Sequence, residues 1–248
     1  MAVAGALSIA VPSEPAIVMP IVRLGIDLGE LDDEPEALYA YAHFAYVAAG
    51  AHAGDERTIA RAIDRATRSR CVIGAHPGFE DRARFGRVEL DLSSEALAES
   101  VRKQCVTVRE AAALAGREVR VMKLHGALYH RADRDAAAAE AALRGAIDAL
   151  GEGLTVVAWP GRETARVAAR LGCEVLREAF ADRGARADGT LLARHEPGAL
   201  LTERDAAVAR AHEIIVAARA DVLCVHGDNP SAVAIARAVR AMLDEAPT

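Results

Sequence analysis

The chain has 248 residues, of which 52 % are apolar but only 4 % aromatic, and a formal net charge of −6. That length suits one barrel-sized α/β domain whose core needs no disulfide staples, and a core filled by Ala, Val and Leu fits helices on a parallel sheet better than a β-sandwich. The absence of a basic run interleaved with aromatics argues against nucleic acid, and no apolar run nears the ~20 residues a spanning helix needs. Four cysteines, Cys71, Cys105, Cys173 and Cys224, show neither CxxC nor zinc-knuckle spacing. They read as free thiols in a reducing, cytoplasmic compartment.

Residues 1–20 contain Pro12, Pro15 and Pro20 and no basic start, so they read as a flexible leader rather than a signal peptide. Residues 21–248 read as one domain. Short runs rich in Val, Ile and Leu mark strands at Ile21–Leu28, Cys71–Ala75, Val119–Leu124, Leu154–Ala158, Glu174–Leu176 and Val222–Val225. The Ala45–Ala49 stretch reads equally as a strand or a helix end. Between them, Asp55 precedes a helix over Ala60–Ala66, and Ser93 opens one to about Ala115 with Gly116 after it. Further helices are expected from Asp133 to near Gly151, from Gly161 to Gly172, from Thr202 to Ala218 and from Pro230 to Leu243. About seven β-α units in a row give a parallel sheet that closes, or nearly closes, into a barrel, with an open doubly wound sheet as the alternative. Two loops, Pro77–Leu92 and Phe180–Leu201, exceed what a barrel needs and are placed to build or cover a site.

One pattern recurs: a His after an apolar run and beside a Gly. It stands at His52-Ala-Gly-Asp55, His76-Pro-Gly78, His125-Gly126 and His226-Gly-Asp228. Strand C-termini share one face of a barrel, so these histidines converge there. Asp27 and Glu30 at the end of the first strand join them. Such a set can act as general acid and base, or hold a divalent metal. For Asp55 and Asp228, helix capping competes with a site role. His43 and His212 read as helix surface and His195 as loop. Lys123 lies two residues before His125, so both face the same way. A Lys inside a barrel requires a partner, either a carboxylate such as Asp27 or an anionic substrate group. Arg183 and Arg194 are placed to clamp a carboxylate or phosphate, with ion pairing to Asp182 or Asp188 as the rival reading.

These motifs resemble the LamB/YcsF family along nearly the whole chain. His52-Ala-Gly-Asp55 resembles its HAGD element. Ile73-Gly-Ala-His-Pro-Gly78 with Asp81 and Phe85-Gly-Arg87 resembles IGAHPG…D…FGR. Lys123-Leu-His-Gly-Ala-Leu-Tyr129 resembles KPHGALY, Phe180-Ala-Asp-Arg183 with Asp188-Gly189 resembles FADR…DG, and Cys224-Val-His-Gly-Asp228 with Pro230 resembles CVHGDTP. The resemblance implies a distorted (β/α) barrel and a hydrolase role in opening the lactam of 5-oxoproline to glutamate. It also implies partner subunits that use ATP to phosphorylate the substrate. The lack of a GxxxxGK[ST] loop here agrees with that division. Departures lie in the first two strands: Arg23 and Gly25 stand where the pattern has Asp and Asn, and Tyr46 where it has Asn.

The resulting expectation is a cyclic-amide hydrolase that works with partner subunits. His125 is the general base and Lys123 the electrostatic stabiliser, with His52, His76, His226 and Asp27 around the reacting centre. Glu30, Asp55, Tyr129, Arg183 and Asp228 bind substrate. The rival readings are a stand-alone metal-dependent deacetylase-like hydrolase and a divergent paralogue with altered or no catalysis.

Overall fold

The computed structural model describes residues 22–186 and 190–245. The expected leader over residues 1–20 and the Asp188-Gly189 pair lie outside them. Seven parallel strands close a barrel in sequence order: β1 (Arg23–Leu28), β2 (Phe44–Ala48), β3 (Val72–His76), β4 (Val121–Met122), β5 (Thr155–Ala158), β6 (Glu174–Phe180) and β7 (Val222–His226). β7 pairs with β1 to complete the ring, with Asp27 beside His226 in register. Closure, not the open doubly wound alternative, is the outcome.

Among the described residues eight α-helices surround the strands: α1 (Ala37–Tyr41), α2 (Glu56–Arg68), α3 (Ser94–Leu114), α4 (Gly126–Arg134), α5 (Ala136–Leu150), α6 (Glu163–Arg170), α7 (Arg204–Val216) and α8 (Ala232–Glu245). No helix among the described residues is long and apolar enough to cross a membrane. Strand alternation divides the interior in two. Leu24, Ile26 and Leu28 face outward into the main core beneath the helices. Phe44, Tyr46, Val121, Val157 and Val222 fill the barrel axis as a second, separate cluster. The period-two geometry of a strand produces this split.

Several boundaries differ from the sequence reading. The ambiguous stretch is β2, short but fully buried. The helix expected from Asp133 is α5, which starts only after Asp135, and a further helix, α4, precedes it. Asp135 breaks the run and caps α5, accepting the Ala137 N–H at 2.9 Å, while Asp133 sits inside α4 and accepts from Thr164 Oγ1 at 2.8 Å. Thr202 does not cap α7, which starts after Glu203. His43 is not helix surface: its Nδ1 accepts the Leu24 N–H at 3.0 Å at the entrance to β2.

Candidate active site

The strands deliver charge to the middle of an otherwise apolar barrel. Lys123 follows β4, and its Nζ donates to Asp27 Oδ1 of β1 at 2.6 Å. The same nitrogen lies 3.1 Å from Glu178 Oε1 of β6 and 3.1 Å from Cys224 Sγ of β7. All four side chains are buried. Burial alone would drive the Lys123 amine toward neutrality, but Asp27, Cys224 and Glu178 hold its pKa well above the usual lysine value. Burial would likewise raise Asp27, yet Lys123, His76 and His226 hold it well below the carboxylate range. For Glu178 burial wins over Lys123, and its carboxyl is raised. The cluster is therefore an ammonium–carboxylate pair beside a carboxyl that holds its proton more readily. A buried lysine is stable only with such partners.

Above this layer three histidines close around Glu30. His52 Nε2 lies 3.2 Å and His125 Nδ1 3.1 Å from Glu30 Oε1. His76 Nε2 lies 3.8 Å from that oxygen and 3.1 Å from His125 Nδ1. The His52 and His125 rings stack at 3.7 Å between centroids. The outer nitrogens of two rings are fixed by carbonyls: His76 Nδ1 by Lys123 O at 2.8 Å and His125 Nε2 by Phe85 O at 2.9 Å. Burial lowers the pKa of both His52 and His125, against the pull of Glu30. Burial would raise Glu30, but the neighbouring His125 and His52 hold it well below its usual value. Glycine makes the approach possible. A side chain at Gly78 would meet the His52 ring, and one at Gly86 would meet His125 Cδ2 at 3.1 Å.

Across the mouth, His226 forms a dyad with Asp182. Its Nδ1 lies 2.8 Å from Asp182 Oδ1, and its backbone N–H donates to Oδ2 at 3.0 Å. Asn229 Nδ2 also donates to Oδ2, at 3.1 Å. Burial would raise Asp182, but His226 and these hydrogen bonds lower it. A carboxylate only accepts, so it selects the Nδ1–H tautomer and leaves the lone pair on Nε2. His226 lines the pocket, and Nε2 stands 4.0 Å from Asp27 Oδ2.

The pocket, about 640 Å³, lies over Asp27, Lys123, His76, His125 and His226. Its rim carries Arg87, Arg134, Arg183, Arg186 and Arg194. Four of these pair with acids: Arg87 and Arg194 with Asp228, Arg134 with Glu89, Arg186 with Glu196. Arg183 is buried and instead donates to the carbonyls of Ala199 at 2.9 Å and Leu192 at 2.7 Å. Among the described residues no carboxylate lies within ion-pair distance of it. Burial and neighbouring Arg194 lower its pKa to about 10. Burial, then Arg183, Arg134 and Arg194, lower His130 to about 4. The pocket thus has an electropositive rim over a histidine-rich floor, an arrangement suited to an anion undergoing proton transfer.

The structure brings Asp27, Glu30, His52, His76, Lys123, His125, Tyr129, Arg183 and His226 to this end of the barrel. Two expected binding residues lie elsewhere in role. Asp55 caps α2 through the Thr58 N–H at 2.8 Å, in a reciprocal capping box, and does not line the pocket. Asp228 is neither a cap nor a pocket-lining group; it holds Arg87 and Arg194 in place. His125, expected as the base, has both ring nitrogens engaged by Phe85 O, Glu30 and His76. Sequence reasoning misses Glu178, Asp182 and Asn229 as residues of the site. The signal for Glu178 is strand parity: β6 runs on to Phe180, so Glu178 shares the inner face with Leu176.

The model of the LamB/YcsF family matches residues 23–248. A 5-oxoprolinase A subunit of Agrobacterium fabrum, the one numbered 1, is 38 % identical over 240 residues, covering 90 % of this chain and 93 % of its own. The 5-oxoprolinase A subunit of Streptomyces coelicolor is 38 % identical over 246 residues, covering 91 % and 97 %. Among solved structures, a lactam utilization protein from Thermus thermophilus superimposes with a TM-score of 0.83 at 32 % identity, covering 90 % of this chain and 96 % of that one.

Proposed function

This chain belongs to the LamB/YcsF family, and on that premise we propose that it is the A subunit of an ATP-dependent 5-oxoprolinase, a hydrolase that opens 5-oxoproline to L-glutamate. In this reading partner subunits bind ATP and transfer its terminal phosphoryl group to the lactam oxygen. An unactivated lactam resists attack because amide resonance opposes it. Phosphorylation makes the ring carbon an imidate-like electrophile, and the barrel then has to deliver water and steady charge.

The observation that carries the reading is the His226–Asp182 dyad, whose Nε2 lone pair stands over the Lys123–Asp27 layer in the pocket. His226 Nε2 takes a proton from water as the water oxygen bonds to the ring carbon. Ionised Asp182 stabilises the imidazolium that forms. The ring carbon–nitrogen bond then breaks, and His226 returns the proton to the departing nitrogen. Phosphate leaves on hydrolysis of the resulting acyl phosphate. Lys123 stabilises the negative charge that develops on the reacting carbon's substituents. Arg183 and its electropositive surroundings hold the phosphate or carboxylate. Tyr129, buried at the pocket wall, is placed to meet a polar substrate atom with its hydroxyl. The base role thus moves from His125 to His226.

The test is reconstitution. Partner subunits, 5-oxoproline and ATP are incubated with and without this chain, and glutamate is followed by NMR. Glutamate that appears only with the chain present supports the reading. No glutamate, from partners proven active with another member of the family, sinks it.

A further inference from the structure

We propose that Glu30, His76 and His125 form a binding site for one divalent transition-metal ion, zinc foremost, with His52 stacked on His125 and placed to orient Glu30 rather than to ligate. Each of the three offers one ligand atom, and these atoms all lie within 4.8 Å of one another. A tetrahedral zinc ion with ligands at about 2.0–2.1 Å places those ligands roughly 3.3–3.4 Å apart. The measured separations of 3.1, 3.1 and 3.8 Å between these atoms bracket that spacing, and the His76 and His125 rings meet edge to face with centroids 5.0 Å apart, as two imidazoles on one ion do.

The tautomers supply the second argument. His76 gives its Nδ1–H to the Lys123 carbonyl and His125 its Nε2–H to the Phe85 carbonyl, since carbonyls only accept. In the neutral rings His76 Nε2 and His125 Nδ1 therefore both present lone pairs, 3.1 Å apart, with Glu30 Oε1 beside His125 and Asp27 Oδ2 3.4 Å from His76 Nε2. Acceptors do not gather in a buried space without a cation among them. One proton bridges two of these acceptors and leaves the third unpaired, whereas a metal ion satisfies all at once. The carbonyls that fix the outer nitrogens are the orienting partners that metal-bound imidazoles use. Two imidazole nitrogens and one carboxylate oxygen, with a fourth position left for water, suit zinc rather than magnesium or calcium, which prefer oxygen. His76 and His125 also line the pocket, so the ion would add positive charge at its wall. The site stands on its own geometry, whether or not the substrate is a lactam.

The experiment uses the full chain, untagged, stripped with chelator and then equilibrated with zinc chloride or cobalt(II) chloride. Metal per chain is measured by mass spectrometry after desalting, and the cobalt form by visible absorption. The expected result is one equivalent retained, with the intense visible bands of four-coordinate cobalt. Glu30→Gln should weaken binding by about 10–100-fold, His76→Asn should abolish it, and His212→Asn, on the exposed face of α7, should leave it unchanged. Thermal melts report whether each variant is folded, and the wild-type cobalt spectrum stands without them. No retained metal in the folded wild type, or one equivalent retained unchanged by both Glu30→Gln and His76→Asn, overturns the proposal.

Discussion

Lys123 is the residue on which the barrel interior depends. It is 2 % exposed and is compensated by the layer of Asp27, Glu178 and Cys224, with the Tyr46 and Phe180 rings beside its ammonium. Lys123→Met leaves Asp27 buried without a counter-charge, and should destabilise the fold by about 3–5 kcal/mol in urea denaturation. Adding Asp27→Asn should recover part of that loss. Asp133 offers a pH test. Burial raises its carboxyl to about 7, against the Thr164 hydrogen bond, and among the described residues its Oδ2 has no hydrogen-bond partner. The folded state therefore holds a proton that the unfolded chain releases near pH 4. Between about pH 4 and 7 the unfolded chain binds fewer protons, so Asp133 makes stability fall as pH rises. Asp133→Asn should gain on the wild type from pH 5 to pH 8, by roughly 1–3 kcal/mol at the upper end. Chemical denaturation at both pH values checks this. His130 reports the rim. Arg183→Gln should raise its pKa above about 4, because Arg183 is the first of the arginines that depress it; NMR titration of the imidazole reads the change. At this scale the sequence was legible where a lone residue was anomalous. A lysine on an apolar strand demanded an acid, and Asp27 supplies it. It was not legible for Asp55 and Asp228, whose capping or site roles look identical in sequence. Only the fold shows that one caps a helix and the other holds arginines.

At the scale of elements, β1, β2 and β3 pack as a unit around Tyr46. Its ring lies in the space that side chains at positions 25 and 74 would fill. A Cβ at Gly25 would sit 2.5 Å from Tyr46 Cε2, and one at Gly74 would sit 2.9 Å from Tyr46 Cδ1. The departures at Gly25 and Tyr46 are thus complementary, a bulky ring beside vacated space, and they plug the barrel below Lys123. Gly25→Ala should cost about 1–3 kcal/mol by overpacking, and Gly25→Ala with Tyr46→Leu should be more stable than Gly25→Ala alone. Thermal melts of both variants check the pair. The strand order was readable because each buried strand is a short apolar run between helical segments. The α4–α5 break was not, since Asp133 and Asp135 are equally good caps two residues apart. The chain settles it through the Asp133 bond to Thr164 of α6. The end of β6 escaped for a related reason. Arg177 and Glu178 interrupt the apolar run after Leu176, but Arg177 is paired outside with Asp221 and Glu178 points inward to Lys123.

For the whole molecule, closure between β1 and β7 is what makes the site. It sets Asp27 beside His226, residues about 200 positions apart in the chain, and brings the Asp182 dyad over Lys123. The recurring His-Gly signature foretold that convergence, because strand C-termini share one face. Which nitrogen each ring presents was beyond its reach, as that depends on carbonyls and carboxylates from other strands. The most direct measurement is the rate of glutamate formation in the system reconstituted with partner subunits, 5-oxoproline and ATP, comparing wild type with His226→Asn at matched folding. The account predicts a fall of about 10²–10⁴-fold on loss of the base. Glutamate formed at the wild-type rate by His226→Asn would contradict it.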